Sequence, residues 1–589
     1  MNRRQFMLKT GLTVSGLTTL SACAAPRHAS TRIHWTRADR WFTAVACDGE
    51  LMAPTTALLA ATCHLASESA AGGPLRATVE HRLRESGAGL GEDVLEATLT
   101  VRNTSDRPQC VELEFATSAR PSAALEEQHV YLPLSAAGLF RDGRFAAFGV
   151  KNFLEDCNHP VGANDFAAHY LEPMASFSAE RETKALLLAP VVDVFDPQRP
   201  WHIALFTSSD QPMRFSRRGG LWRAGRQAMV AAGATLTQRC WLMPHQGDAA
   251  LAWKTFHRFG HREEFAVPAW AREFEVHYFD FLSSAQGEQR RRGDGYDSDL
   301  AHFREFRVGM ATQHGYYPAI GDFIHPDRKT WQAMRGDKQG AAEMSLEKMR
   351  ARIQATRRAG AKAAVYMHAA LFDDAAPCFA RLRESVQMDV NGQPMNFGWT
   401  GPDTAGRTWR ASLASAEWRA HLLQQAGWIM DLLRPDAVVV DETFAGLGYD
   451  HRTSPASATS AGAIDFYRKL RSLVHSFGRD KAFFASDCSM SPFVLWADGD
   501  CGDHAYPGLL GHPLYTQTPG RYLAALGDKP WRPCAWNFQR MWDAQMKLAR
   551  QFGAGVGVSN GWLEYTGLTR LSEDVRAKMI ADIAVLHRR

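Results

Sequence analysis

The run Arg434-Pro-Asp-Ala-Val-Val-Val-Asp-Glu-Thr-Phe444 sets two acids, Asp441 and Glu442, directly behind three β-branched residues. Such a run reads as a buried parallel strand, so both acids are expected at its C-terminal mouth. Other apolar runs also end in acids: Asp280, Asp322 and Asp487, then Asp498, Asp500 and Asp503 with His504 beside them. Carboxyl groups converging from several strand ends could perform glycoside hydrolysis, which needs two of them. One is kept protonated as general acid, and the other is a nucleophile or a base that activates water. Asp441 and Glu442 are the first candidates, followed by Asp487, Asp498 and Asp503. Asp280, Asp322, His368 and His504 suit hydrogen bonds to substrate hydroxyls, although capping and strand-end bonding would use the same groups. Asp373-Asp374 and Glu564 read as solvated loop acids. Tyr366, Trp399, Trp409, Trp496, Trp536, Trp562 and Tyr565 lie near strand ends and could offer flat apolar faces to a sugar ring. For any single Trp, core packing is the stronger expectation.

The elements that must carry these groups fall into two kinds. Residues 31–246 read as β-structure: Leu95–Val101 alternates on a period of two, a polar turn follows, and Val111–Phe115 alternates again. Ala185–Val194 and His202–Thr207 are similar, and together they predict an N-terminal antiparallel β-sandwich. A helical linker spans 247–271. From 272 to 589 strands and helices alternate, the mark of a parallel α/β fold. The expected strands are Phe274–Phe279, Tyr316–Ile320, Ala363–His368, Ala437–Asp441, Ala482–Asp487, Asp498–His504, Trp531–Trp536 and Ala554–Ser559. Eight strands suit a (β/α)8 TIM barrel, whose chemistry sits at the strands' C-terminal ends. A doubly wound open sheet is the rival, disfavoured because no Gly-rich phosphate loop follows any strand. The interval between the fifth and sixth strands is short for a crossover helix; Ser491-Pro492 could start one helical turn there.

Hydrophobic residues make up 45% and charged residues 22%, which excludes a disordered chain and a polytopic membrane protein. Lys and Arg total 67 against 63 Asp and Glu, a net charge of +4. Three of those positive charges, Arg3, Arg4 and Lys9, precede Cys23, so the rest is nearly neutral and gives no electrostatic argument for nucleic acid. The twin arginine followed by Phe6 resembles a twin-arginine export signal. Leu20-Ser-Ala-Cys23 looks like a lipobox, in which Cys23 is lipidated. Residues 1–23 are therefore read as a signal peptide. The expectation is an exported, periplasmic or cell-surface lipoprotein anchored to the membrane through Cys23. The cysteines beyond Cys23 are odd in number, and no CxxC or His-x-His spacing suggests a metal site. No cofactor is expected.

From Gly360 to Phe444 the chain resembles barrel glycosidases of the α-galactosidase superfamily. The resemblance rests on the helix ending Arg-Ala-Gly360, the strand ending His368, and the loop Asp389-Val-Asn-Gly-Gln393. It continues through the helix around Ala416-Glu-Trp-Arg419 and the strand ending Asp441. It implies a retaining mechanism with Asp441 as nucleophile and an acid/base from the sixth strand, Asp498 or Asp503, with Asp487 a third candidate. The partner would be an oligo- or polysaccharide. Pro533-Cys-Ala-Trp-Asn537 lacks the glutamate of barrel glycosidases that use strands four and seven. The adjacent Asp441-Glu442 is also similar to β-N-acetylhexosaminidases. There Glu442 would be the acid/base and Asp441 would orient the substrate acetamide. A catalytically silent carbohydrate-binding protein is a rival from another class. A metal-dependent hydrolase using Asp441 and His504 is weakened by the missing pair of closely spaced histidines.

Overall fold

The computed structural model describes residues 34–38, 41–47, 50–51, 59–65, 74–85, 93–119, 129–131, 159–160, 166–170, 183–187, 189–196, 198–218, 220–246, 249–260, 266–281, 295–333, 343–389, 391–396, 406–441, 449–486, 492–501, 538–560 and 567–586. Cys23 and the signal region, Glu442, Asp487, Asp503, His504, Trp399, Trp536, Trp562, Glu564, Tyr565 and the expected strand Trp531–Trp536 lie outside the described residues.

Two large sheets occupy the N-terminal half. One runs in the order Thr183–Leu187, Phe166–Tyr170, Arg214–Arg218, Leu221–Val230, Gln109–Thr117, Leu59–Leu65. It is antiparallel apart from its first pair. The other runs Leu75–Arg84, Val94–Asn103, Thr235–Gln246, Trp201–Thr207, Val191–Phe195, His129–Tyr131, His159–Pro160, with every pair antiparallel. Leu113 and Phe115 of the first and Leu99, Val101 and Leu205 of the second belong to one hydrophobic core. The alternating runs on either side of residue 103 therefore do not form a hairpin: each joins a different sheet. Asn103 anchors this crossing, donating from Nδ2 to the carbonyls of Arg107 (2.8 Å) and Val230 (3.0 Å). The expected single strand Ala185–Val194 is likewise split, into Thr183–Leu187 and Val191–Phe195 in separate sheets. Pro190 lies at the break, where it has no N–H to donate to a ladder.

The opposite face of the seven-stranded sheet is covered by the helix Ala249–Gly260. Its Ala252, Trp253 and Phe256 pack on Val191, Phe206, Trp241 and Met243.

The C-terminal half holds a second seven-stranded sheet, wholly parallel. Its order is Gly499–Asp500, Ala482–Ala485, Ala437–Asp441, Lys362–His368, Val308–His314, Val276–Phe281, Val556–Ser559. The strands run in chain order, and the last in sequence pairs with the first. That order excludes the doubly wound alternative, in which the chain reverses at the middle of the sheet. One strand differs from expectation: Tyr316–Ile320 is a loop, and the second strand is Val308–His314. The aromatic loop Tyr316-Tyr317 is fully buried, which made it look like a strand. The true strand carries Gly309, Thr312 and Gln313 and looks polar.

Local signals explain the connecting helices. Ser345 caps Leu346–Arg358 by accepting from Lys348 N–H (3.0 Å), and Ser415 caps Ala416–Leu433 by accepting from Trp418 N–H (3.3 Å). The expected crossover turn is the short 3-10 helix Pro492–Leu495.

Alternate residues of the parallel strands face opposite ways. Ala363, Val365, Val438, Val440, Phe483 and Ala485 join the large core with the helices. Met310, Ala364, Ala437, Val439, Ala482 and Phe484 form a separate inner cluster, closed below by Val267, Ala271 and Phe274. Gly309 permits this closure. A Cβ there would lie 2.2 Å from Phe274 Cβ, a contact no side-chain rotation relieves. Gly309→Ala is expected to lower stability by about 1–3 kcal/mol, the usual cost of overpacking. Urea unfolding midpoints would measure it; an unchanged midpoint would contradict the closed packing.

Candidate functional site

The inner face continues upward from the apolar cluster into polar groups. Two residues beyond Val439 comes Asp441, two beyond Ala364 comes Tyr366, two beyond Phe484 comes Ser486, and four beyond Met310 comes His314. Strand pairing brings these ends together: His368 is the register partner of Asp441, and Ser486 N–H donates to Val440 O. Tyr366 Oη–H donates to Asp441 Oδ2 (2.7 Å), and Ser486 Oγ–H donates to Oδ1 (2.8 Å). The carboxylate is thus held on both oxygens by hydroxyls from the two neighbouring strands, while Asp441 stays partly accessible.

Aromatic rings stiffen this arrangement. Tyr366 stacks on Tyr317 (5.7 Å, 11°) and stands edge-on to His314 (4.1 Å, 81°). Tyr317 Oη lies 3.2 Å from His314 Nε2. His368 Nδ1 accepts from the N–H groups of Ala370 (3.2 Å) and Leu371 (3.1 Å), so a neutral ring carries its proton on Nε2. The site therefore combines one fixed carboxylate with imidazoles and a phenol, groups able to donate to hydroxyl oxygens.

Burial pushes the His314 imidazole down to about 3, against an opposing pull from Asp441. An unfolded histidine titrates near 6.5, so between about pH 3 and 6.5 the unfolded chain takes a proton that the folded chain refuses. Stability from this group is complete above about pH 6.5 and is lost as pH falls toward 3. By pH 4.5 about 2–3 kcal/mol of it has been lost. His314→Gln is expected to shrink the difference between urea midpoints at pH 7 and pH 4.5. An equal pH dependence in the variant would count against it.

Several expected site residues are turned elsewhere. Asp498 lies on the helix-facing side, buried, with Oδ1 on Arg471 (2.8 Å) and Oδ2 on His475 (2.9 Å) and on Phe483 N–H (2.9 Å). Asp280 is also on the outward side, where Arg352 (2.8 Å) and Asn560 (2.7 Å) donate to it. Burial raises its carboxyl to about 6 despite Arg352. Asp322 pairs with Arg328 (2.8 Å). Trp496 is buried in the core beside Phe493 and lines a cavity of about 330 Å³ with Trp241, Phe259 and Ile464. Trp409 sits on the strand Thr408–Arg410, partly exposed beneath Arg407. Asp373, read as a solvated acid, is buried and accepts from the N–H groups of Ala375 and Gly406. Tyr366 is where it was expected, but its hydroxyl is committed to Asp441. Ser486 and His314 were missed. Ser486 was legible from its two-residue offset to Phe484, whereas His314 required the second strand to be placed correctly.

No protein-family model and no curated protein matches this chain. Solved structures do resemble it. An α-galactosidase from Thermus thermophilus, in complex with p-nitrophenyl α-D-galactopyranoside, aligns with a TM-score of 0.50 at 13% identity, over 86% of this chain and 94% of that one. A GH36 α-galactosidase from Geobacillus stearothermophilus gives 0.55 at 10% identity, over 90% and 75%. The α-galactosidase from Lactobacillus brevis gives 0.51 at 10%, over 90% and 73%. The resemblance covers both halves of the chain, so it shares with these proteins the combination of N-terminal sheets and a parallel α/β sheet.

Proposed function

We propose that this chain is a retaining glycoside hydrolase with Asp441 as its nucleophile. The observation that carries the reading is Asp441 itself, at the C-terminal end of the fourth parallel strand with Tyr366 and Ser486 holding its two oxygens. Two hydroxyl donors from adjacent strands orient a carboxylate for attack far better than solvent would. The parallel sheet is read as a (β/α)8 barrel closed by 531–536 as its seventh strand, and the N-terminal sheets as a β-sandwich. In the first step a carboxylate oxygen of Asp441 bonds to the anomeric carbon as the glycosidic C–O bond breaks. A second carboxyl gives its proton to the leaving oxygen, then takes one from the water that releases the sugar. With Asp498 committed to Arg471 and His475, that second carboxyl is Asp503 or Asp487. The signal region supports export and anchoring through Cys23.

Because the fold neighbours are α-galactosidases, α-galactosides are the first substrates to try. Aryl α- and β-glycosides, raffinose and stachyose would be assayed with the purified chain. Release of galactose with retained anomeric configuration is expected. Turnover of an aryl β-N-acetylglucosaminide alone would transfer the acid/base role to Glu442. Absence of turnover on every glycoside, with glycans still bound, would leave a binding protein.

A further inference from the structure

Outside this site, three polar side chains converge within the N-terminal half. Asp193 lies on Val191–Phe195, His202 on Trp201–Thr207 and His245 on Thr235–Gln246. His202 and His245 are direct register partners, and Asp193 lies on the neighbouring strand two residues from Phe195, the other partner of His202. All three therefore point to one face of the sheet, the face covered by the helix Ala249–Gly260. Asp193 Oδ2 is 3.0 Å from His202 Nδ1, and Asp193 Oδ1 is 3.0 Å from His245 Nε2. The two imidazole centroids are 5.0 Å apart, and Phe195 stacks on His202 at 4.8 Å.

We propose that Asp193, His202 and His245 form a binding site for one divalent transition-metal ion, Zn2+ in preference. Their donor atoms all lie within 4.8 Å of one another. An ion bound at about 2.0–2.2 Å from nitrogen and oxygen holds neighbouring donors roughly 3–3.5 Å apart, so little movement is required. Two imidazoles and a carboxylate suit Zn2+ and its neighbours better than Ca2+ or Mg2+, which prefer oxygen. A carboxylate with no exposed surface, whose register partner is Ala204, also calls for a cation beside it. His202, 9% exposed against none for the other two, marks the side from which an ion and a water ligand would enter. The ion would pin three adjacent strands beneath the helix. Chain spacing carries no hint of this, since the ligands meet only through cross-strand register.

The test uses the full purified chain, stripped with chelator and dialysed. Titration with Co2+ should produce visible d–d absorption saturating at about one equivalent, and Zn2+ should abolish it by competition. His202→Ala, at the accessible edge, should weaken uptake at least tenfold with an unchanged circular dichroism spectrum. Hydrogen exchange of the wild-type chain, which needs no variant, should slow in the segments 191–195, 201–207 and 235–246 when Zn2+ is added. A chain that takes up neither ion overturns the proposal, leaving a hydrogen-bonded triad alone. Full uptake by His202→Ala, or exchange unaltered in those three segments, overturns it as well.

Discussion

Asp441→Asn is expected to reduce glycoside turnover by about 10³-fold or more while leaving the fold intact, the scale seen when a covalent nucleophile is removed. The substitution keeps the shape of the side chain. Its amide oxygen can still accept from Tyr366, and the Ser486 hydroxyl can rotate to accept from the new NH2 group instead of donating. Stability should therefore change by less than about 1 kcal/mol. What is lost is the negative oxygen that bonds to the anomeric carbon. The shorter Asp441→Ala leaves room for a small anion, and formate or azide should restore part of the turnover of an activated aryl glycoside. Wild-type rates in Asp441→Asn would remove this residue from the mechanism. Rescue by azide yielding a glycosyl azide of inverted anomeric configuration would identify it as the nucleophile.

Asp498→Ala should show the opposite pattern, a large loss of stability with turnover per folded molecule close to wild type. Its carboxylate accepts from Arg471, His475 and the N–H of Phe483, and it ties the helix Ser460–Ser476 to the edge of the parallel sheet. Removing it takes away the carboxylate that faces the guanidinium of Arg471, 8% exposed. Arg471 also donates to the carbonyl of Ala266 (2.7 Å). Breaking a buried ion pair from one side costs about 3–5 kcal/mol. Urea denaturation would measure that cost, and activity would be assayed well below the unfolding transition. A stable Asp498→Ala that had lost turnover by orders of magnitude would return Asp498 to the role of general acid. The two substitutions together separate an acid that does chemistry from an acid that holds the sheet edge.

Both acids follow apolar runs of similar appearance, and along the chain they look alike. Asp441 follows Val438-Val439-Val440, and Asp498 follows Leu495-Trp496-Ala497. What separates them is the face of the sheet to which each points. Successive side chains on a strand alternate, so an offset of one residue moves a carboxyl from the inner mouth to the helix layer. Asp441 shares its face with Val439 of the inner cluster. Asp498 shares its face with Asp500, while Cys501 joins the inner cluster.

The elements with strong local signals were legible from the chain alone. The strand Ala437–Asp441 stands where it is expected, and the helix expected around Ala416-Glu-Trp-Arg419 is Ala416–Leu433. Their causes are short-range: a β-branched run, a serine cap and helical spacing. Where those signals were weak or misleading, the tertiary structure decided. Gly309 lies in a strand as the extra residue of a β-bulge opposite Val276 and His277, where Phe274 Cβ leaves no room for a larger residue, and Tyr316-Tyr317 belongs to a loop although it is buried. Pairing between distant segments also decided which acids share a face, which hydroxyls reach Asp441, and how Asp193, His202 and His245 meet. Composition and motif order were enough to nominate Asp441 and a carbohydrate chemistry. The direction of each side chain depends on register across strands far apart in sequence, which no local pattern encodes.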